Sequence, residues 1–106
     1  MTQLNPVHPG EILKHDFMGP FGLSSNALAK AIGVTPARIN EIVRQRRGIT
    51  AETALRLAQY FGTDAQSWMN LQHQYELEIA QQAIGKEVAN IQPMVATVNH
   101  LAIGSR

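Results

Sequence analysis

Residues 35–47 read TPARINEIVRQRR and hold four arginines, Arg38, Arg44, Arg46 and Arg47, beside Asn40 and Glu41. These side-chain types suit recognition of base edges. An arginine can donate two parallel hydrogen bonds to guanine O6 and N7, asparagine can pair with adenine, a glutamate can accept from cytosine N4, and a small apolar residue such as Ala37 can meet a thymine methyl. The chemistry is hydrogen bonding in a groove and involves no bond making.

Such a reading requires the residues to share one face. At about 100° per residue, Ile39, Ile42 and Val43 point one way, which leaves Ala37, Asn40, Glu41 and Arg44 on the opposite side and Arg38 on the flank. Glu41 has two roles open to it: to accept from a base, or to pair with Arg38 or Arg44 and hold them. Ser24, Ser25, Asn26, Thr35, Arg46 and Arg47 lie at helix starts or just after the reading helix. There hydroxyls, exposed backbone N–H groups and cations meet phosphates, which positions a protein on a duplex without specifying sequence.

The elements that must hold this face are helical. No long alternation of apolar and polar residues occurs before residue 90, whereas helical spacing recurs. A first helix follows HPGEILKHDF, with Ile12, Leu13 and Phe17 on one face and GPFG at 19–22 ending it. A second starts at Ser24 or Ser25 and stops at Gly33, and its Ala27, Ala29 and Ala31 permit close packing. The third starts at Thr35-Pro36 and runs to about Gln45, before Gly48. The second and third are separated by a short glycine-containing turn, the helix-turn-helix arrangement, which lays its second helix in the DNA major groove. A fourth helix starts at Thr50, places Ala54, Leu57, Ala58 and Phe61 inward and stops at Gly62; Tyr60 leans outward. A fifth starts with Thr63 and Gln66 in capping-box spacing, carries Trp68, Leu71, Tyr75 and Ile79 along one side and ends near Gly85. In the remaining segment Pro93 limits helix and MVATV leans towards strand, too short for a sheet alone.

A chain of 106 residues with 44% hydrophobic content is expected to form one all-α domain over residues 1–84, followed by a C-terminal tail, 85–106, that contacts a partner or a second copy. The net charge of +1 hides an asymmetry: residues 1–50 carry six Lys/Arg against three acids, and residues 51–106 carry three against five. The positive field is local to the reading region. There is no cysteine, hence no disulfide and no thiolate ligand or nucleophile. The opening MTQLNPVHPGEIL lacks a basic start followed by an apolar run, and no stretch reaches the length of a membrane span, so a cytoplasmic protein is expected.

Other residues carry competing readings. His8, His15, His73 and His100 invite a metal, with Glu11 and His15 four apart, but there is no HExxH run and no third ligand; no metal, cofactor or catalytic residue is expected. Trp68 and Tyr75 could stack on a base or serve as core or dimer contacts. Asp64, Glu76, Glu78 and Glu87 could form an acidic face for a basic partner, or a solvated one.

Over residues 6–82, the segments HPGEIL and GLSSNALAKAIGVTPARINEIVRQRRGITAETALRLAQYFGTDAQSWMNLQHQYELEIA resemble the HigA family of antitoxins, within the Cro/C1-type (XRE-like) helix-turn-helix class. The resemblance implies a five-helix lambda-repressor-like fold with a C-terminal extension. It also implies a homodimeric repressor that binds a palindromic operator at its own promoter and neutralises a HigB-like toxin, an mRNA-cleaving ribonuclease. It places groove reading at Pro36, Ala37, Arg38 and Glu41 with Arg44 nearby, and backbone contacts at Ser24, Ser25, Arg46 and Arg47. The class often has Gly where this chain has Gln45, which predicts a turn shifted to Gly48. The alternatives are a free-standing helix-turn-helix repressor without a toxin and, with no catalytic constellation to support it, a small enzyme.

Overall fold

The computed structural model describes residues 5–94. Among them are five helices and no strand. Helix α1 begins at Pro9–Ile12, widens into a π-helical turn over Leu13–Met18 and closes in a 3-10 turn over Gly19–Phe21. It is followed by α2 (Ser25–Ile32), α3 (Pro36–Val43), α4 (Ala51–Phe61) and α5 (Ala65–Ala89).

Each start has a side-chain cap. Ser24, Thr35 and Thr50 accept through their hydroxyl oxygens from the N–H groups of Ala27, Arg38 and Thr53. The expected Thr63–Gln66 box does not form. Asp64 is the cap of α5, accepting from the Ser67 N–H at 2.7 Å, and the Thr63 hydroxyl accepts from the Trp68 indole N–H at 2.9 Å. Buried indole N–H groups need a partner, and Trp68 is 2% exposed. At the start of α1, the buried His8 accepts from the Gly10 N–H through Nδ1 at 2.8 Å, and Pro9 occupies the first helical position.

The core joins all five helices through Leu13 and Met18, Leu28 and Ile32, Ile39 and Ile42, Ala54 and Leu57, and Trp68. Of the three small residues in α2, Ala29 is fully buried, while Ala27 and Ala31 face solvent. One close approach dominates the packing. A methyl added to Gly10 would stand 2.7 Å from the carbonyl carbon of Ile42 and nearer still to its oxygen, so α1 lies with its backbone directly on the end of α3. Only glycine fits there.

The expected end of α5 near Gly85 is instead a kink: Ile84 takes φ −130°, ψ 16° and the helix continues to Ala89. Gln72 is the last fully buried residue of α5, and beyond it the helix projects from the core, which gives extents of 53 × 28 × 23 Å. Most of the MVATV segment, and His100, lie outside the described residues.

Candidate nucleic-acid interface

Helices α2 and α3 are joined by three residues, 33–35, and the turn is made by Gly33 at φ 77°. Ile39 and Ile42 are buried and Val43 is half-buried, so the other face of α3 is fixed outward. Pro36, Ala37 and Arg44 are exposed, while Arg38, Asn40 and Glu41 are half-buried at its edges. Five of these lie on α3, and Arg44 is the residue that caps its end. Ser24, Asn26, Thr35, Arg46 and Arg47 are exposed and Ser25 is half-buried. The Ser24 and Thr35 oxygens accept from backbone, which leaves each O–H proton free to donate to a phosphate.

The end of α3 differs from the sequence expectation. The helix stops at Val43, and Gln45 itself takes the left-handed conformation, φ 64°. The Gln45 N–H donates to Ile42 O at 2.9 Å and the Arg46 N–H to Glu41 O at 2.8 Å. This is a Schellman ending, made without the glycine that usually supplies it. The turn is not shifted to Gly48. Gly48 serves another purpose: a side chain there would strike the Gln72 amide, 2.7–2.9 Å away. Gln72, reaching across from α5, accepts from the Ile49 N–H at 2.8 Å and donates to Glu76 at 2.9 Å. It clamps the loop that carries Arg46 and Arg47.

The same doubling back decides the partner of Glu41. It pairs with neither Arg38 nor Arg44 but with Arg46, at 3.9 Å, because the 6→1 hydrogen bond folds Arg46 over it. Arg38 pairs instead with Glu52 at the start of α4, 3.7 Å away, and Glu52 also holds Arg56 at 3.1 Å. Arg56 donates to the Ile32 carbonyl at 2.7 Å, which ties the end of α2 to α4. Arg44 and Arg47 form no ion pair among the described residues. Their charges are free for a polyanion.

Geometry gives the other candidate residues partners of their own. Trp68 is buried against Phe17, ring centroids 4.9 Å apart, and the half-buried Tyr75 meets His8 edge-on at 4.8 Å. Asp64 caps α5 and Glu76 accepts from Gln72, and both stay exposed. His8 is a helix cap, and burial lowers its pKa below 6.5 against a smaller raising effect of Glu11. Among the described residues no three His, Asp or Glu side chains cluster as metal ligands, and no helix is long and apolar enough to cross a membrane.

A helix-turn-helix family model matches residues 17–68, from the widened turn of α1 to Trp68. Antitoxin HigA-1 of Vibrio cholerae is 31% identical over 101 residues, 95% of each chain. The Pseudomonas aeruginosa antitoxin HigA, solved with the higBA promoter, superposes with a TM-score of 0.82 at 48% identity, covering 85% of this chain and 99% of that one. The chain belongs to the HigA family of helix-turn-helix antitoxins. Virulence-associated protein I of Dichelobacter nodosus is 60% identical over 81 residues, 76% of this chain and 75% of that protein. For a HigA-family chain, the residues missed by sequence reasoning are the supports: Gly10, Gln72, Glu52 and Arg56. Gln72 alone left a signal, as a polar residue among Trp68, Leu71 and Tyr75.

Proposed function

We propose that the chain is the antitoxin of a type II toxin–antitoxin module, which binds operator DNA as a homodimer in the cytoplasm, represses its own operon and neutralises a HigB-like ribonuclease toxin. The observation that carries the reading is the outward face of α3, with Arg44 and Arg47 unpaired beside capping hydroxyls at the starts of α2 and α3. The promoter-bound relative with the same fold supports it.

In this reading Pro36, Ala37, Arg38, Asn40, Glu41 and Arg44 face base edges, and Ser24, Ser25, Asn26, Thr35, Arg46 and Arg47 hold the backbone. Arg38 is exposed enough to leave Glu52, since surface ion pairs contribute only about 0–1 kcal/mol. Residues 1–84 carry the DNA-binding unit, and 85–106 extend it. The projecting half of α5 exposes Leu77, Ile79, Ile84 and Val88, apolar side chains on either side of the kink that a second copy would cover. Two copies would set half-sites about one turn, roughly 34–36 Å, apart.

Co-purification of the tagged chain from its native host, followed by mass spectrometry, tests the toxin. Retention of a small basic ribonuclease is expected; recovery of the chain without any such protein would leave a free-standing repressor. Lengthening the operator spacer by half a helical turn should cripple binding, and indifference would contradict the fixed dimer.

A further inference from the structure

The end of α4 remote from the DNA-facing arginines carries side chains for which the proposed interface has no use. Asp16, Phe17, Phe21, Leu23, Tyr60 and Phe61 line an open groove of about 720 Å³ between α1 and α4. Phe21 is 73% exposed and Tyr60 45% exposed. Phe17 and Tyr60 both pack against Phe61 with centroids 5.0 Å apart, at interplanar angles of 55° and 68°, so the wall of the groove is a set of rings held at fixed tilts. At its rim, Asp16 is exposed and forms no ion pair among the described residues.

We propose that this groove docks an arginine side chain of the toxin, its guanidinium lying against the Phe21 and Tyr60 rings and neutralised by Asp16. The inference rests on the reading of the chain as an antitoxin with a basic partner. Aromatic faces carry negative potential and attract cations, arginine most often. A planar guanidinium also stacks on rings and can donate to a carboxylate at its edge. The carboxylate selects the occupant. A purely apolar segment would gain nothing from the carboxylate at the rim, and an anion would be repelled. The location permits a toxin and DNA to be held together: Tyr60 follows Glu52, the neighbour of Arg38, by eight residues of α4, about 12 Å along the helix axis.

The test uses the full-length chain, labelled with ¹⁵N, titrated with an acetylated Gly-Arg-Gly amide and with its citrulline counterpart, which has the same shape without the charge. Saturable amide shifts at residues 16–23 and 60–61 are expected with the arginine peptide and none with citrulline. Asp16→Asn and Phe21→Ala should each weaken binding by about two- to fivefold, the range of an exposed cation–π contact. Equal response to both peptides, shifts spread evenly over surface carboxylates, or unchanged affinity in both variants would overturn the proposal. A second arm repeats the native-host co-purification with the Asp16→Asn/Phe21→Ala double variant, whose loss of the ribonuclease is expected. Capture equal to wild type would overturn the docking role of the groove. If the wild type binds the arginine peptide at the groove yet retains no ribonuclease, the antitoxin reading fails, and the toxin as occupant fails with it. A change in sedimenting mass in the variants, with peptide binding unaltered, would make the groove a contact between copies and overturn the proposal.

Discussion

Gly10→Ala gives the sharpest test of how the reading helix is held. The added methyl would stand 2.7 Å from the Ile42 carbonyl carbon, whereas relaxed carbon contacts lie at about 3.5–4.0 Å. Helix α1 must therefore retreat by on the order of 1 Å, and because the obstacle is backbone, no rotamer change relieves it. Overpacking of this kind costs about 1–3 kcal/mol, while alanine for glycine within a helix returns at most about 1 kcal/mol. The expected net loss is roughly 1–2 kcal/mol, about a 5- to 30-fold fall in the ratio of folded to unfolded protein, read from urea melts by far-UV circular dichroism. Gly62→Ala is the control. Its methyl meets nothing within 4 Å, so its cost of about 1–2 kcal/mol comes from the left-handed backbone alone and leaves α3 in place. Under conditions where both variants are fully folded, Gly10→Ala should bind operator DNA more weakly than Gly62→Ala. A Gly10→Ala protein as stable as wild type, or one that binds DNA as well as Gly62→Ala, would refute the claim that α1 sets the position of α3.

Three further outcomes follow from the same contacts. Because His8 accepts a hydrogen bond through Nδ1 and its folded pKa lies below 6.5, its stabilising effect is complete above pH 6.5 and is lost as pH falls from there through the folded value; urea midpoints between about pH 8 and about pH 5 should fall more for wild type than for His8→Asn, and parallel curves would contradict it. Gln72→Leu orphans the Ile49 N–H and should cost about 1–3 kcal/mol, with faster hydrogen exchange at the Ile49 amide; unchanged exchange would show that the clamp is not needed. Gln45, at φ 64°, bears the left-handed cost that glycine escapes, so Gln45→Gly should raise the melting temperature, by roughly 1 kcal/mol of stability, and the β-branched Gln45→Val should lower it; the reverse order would refute this.

Local chemistry explains what the sequence could and could not reveal. The caps at Ser24, Thr35 and Thr50 and the left-handed stops at Gly33 and Gly62 act within a few residues of themselves, so their residue types announce them. The outward face of α3 follows from the spacing of Ile39, Ile42 and Val43. Long-range contacts left no such mark. Gly10 is glycine because of Ile42, Gly48 because of Gln72, and Glu41 meets Arg46 only because Gln45 turns the chain back without a glycine. The helix start at 63–66 offered two adjacent capping side chains, and the structure uses Asp64 rather than Thr63, whose hydroxyl meets the Trp68 indole N–H. The π-helical widening of α1 over Leu13–Met18 has no cause that we can identify in its residues.

In the proposed function, one face of α3 reads bases while the turn after it grips phosphate. Competition binding of wild type, Arg44→Ala and Arg47→Ala to the chain's own upstream palindrome and to single-base variants of it, across a salt series, tests this directly. Arg44→Ala should lose about 1–3 kcal/mol on the native site and relax preference at one base position in each half-site. Arg47→Ala should weaken all duplexes alike and reduce the salt slope by about one counterion per contact. The same uniform loss from both substitutions, with base preference untouched, would contradict the division.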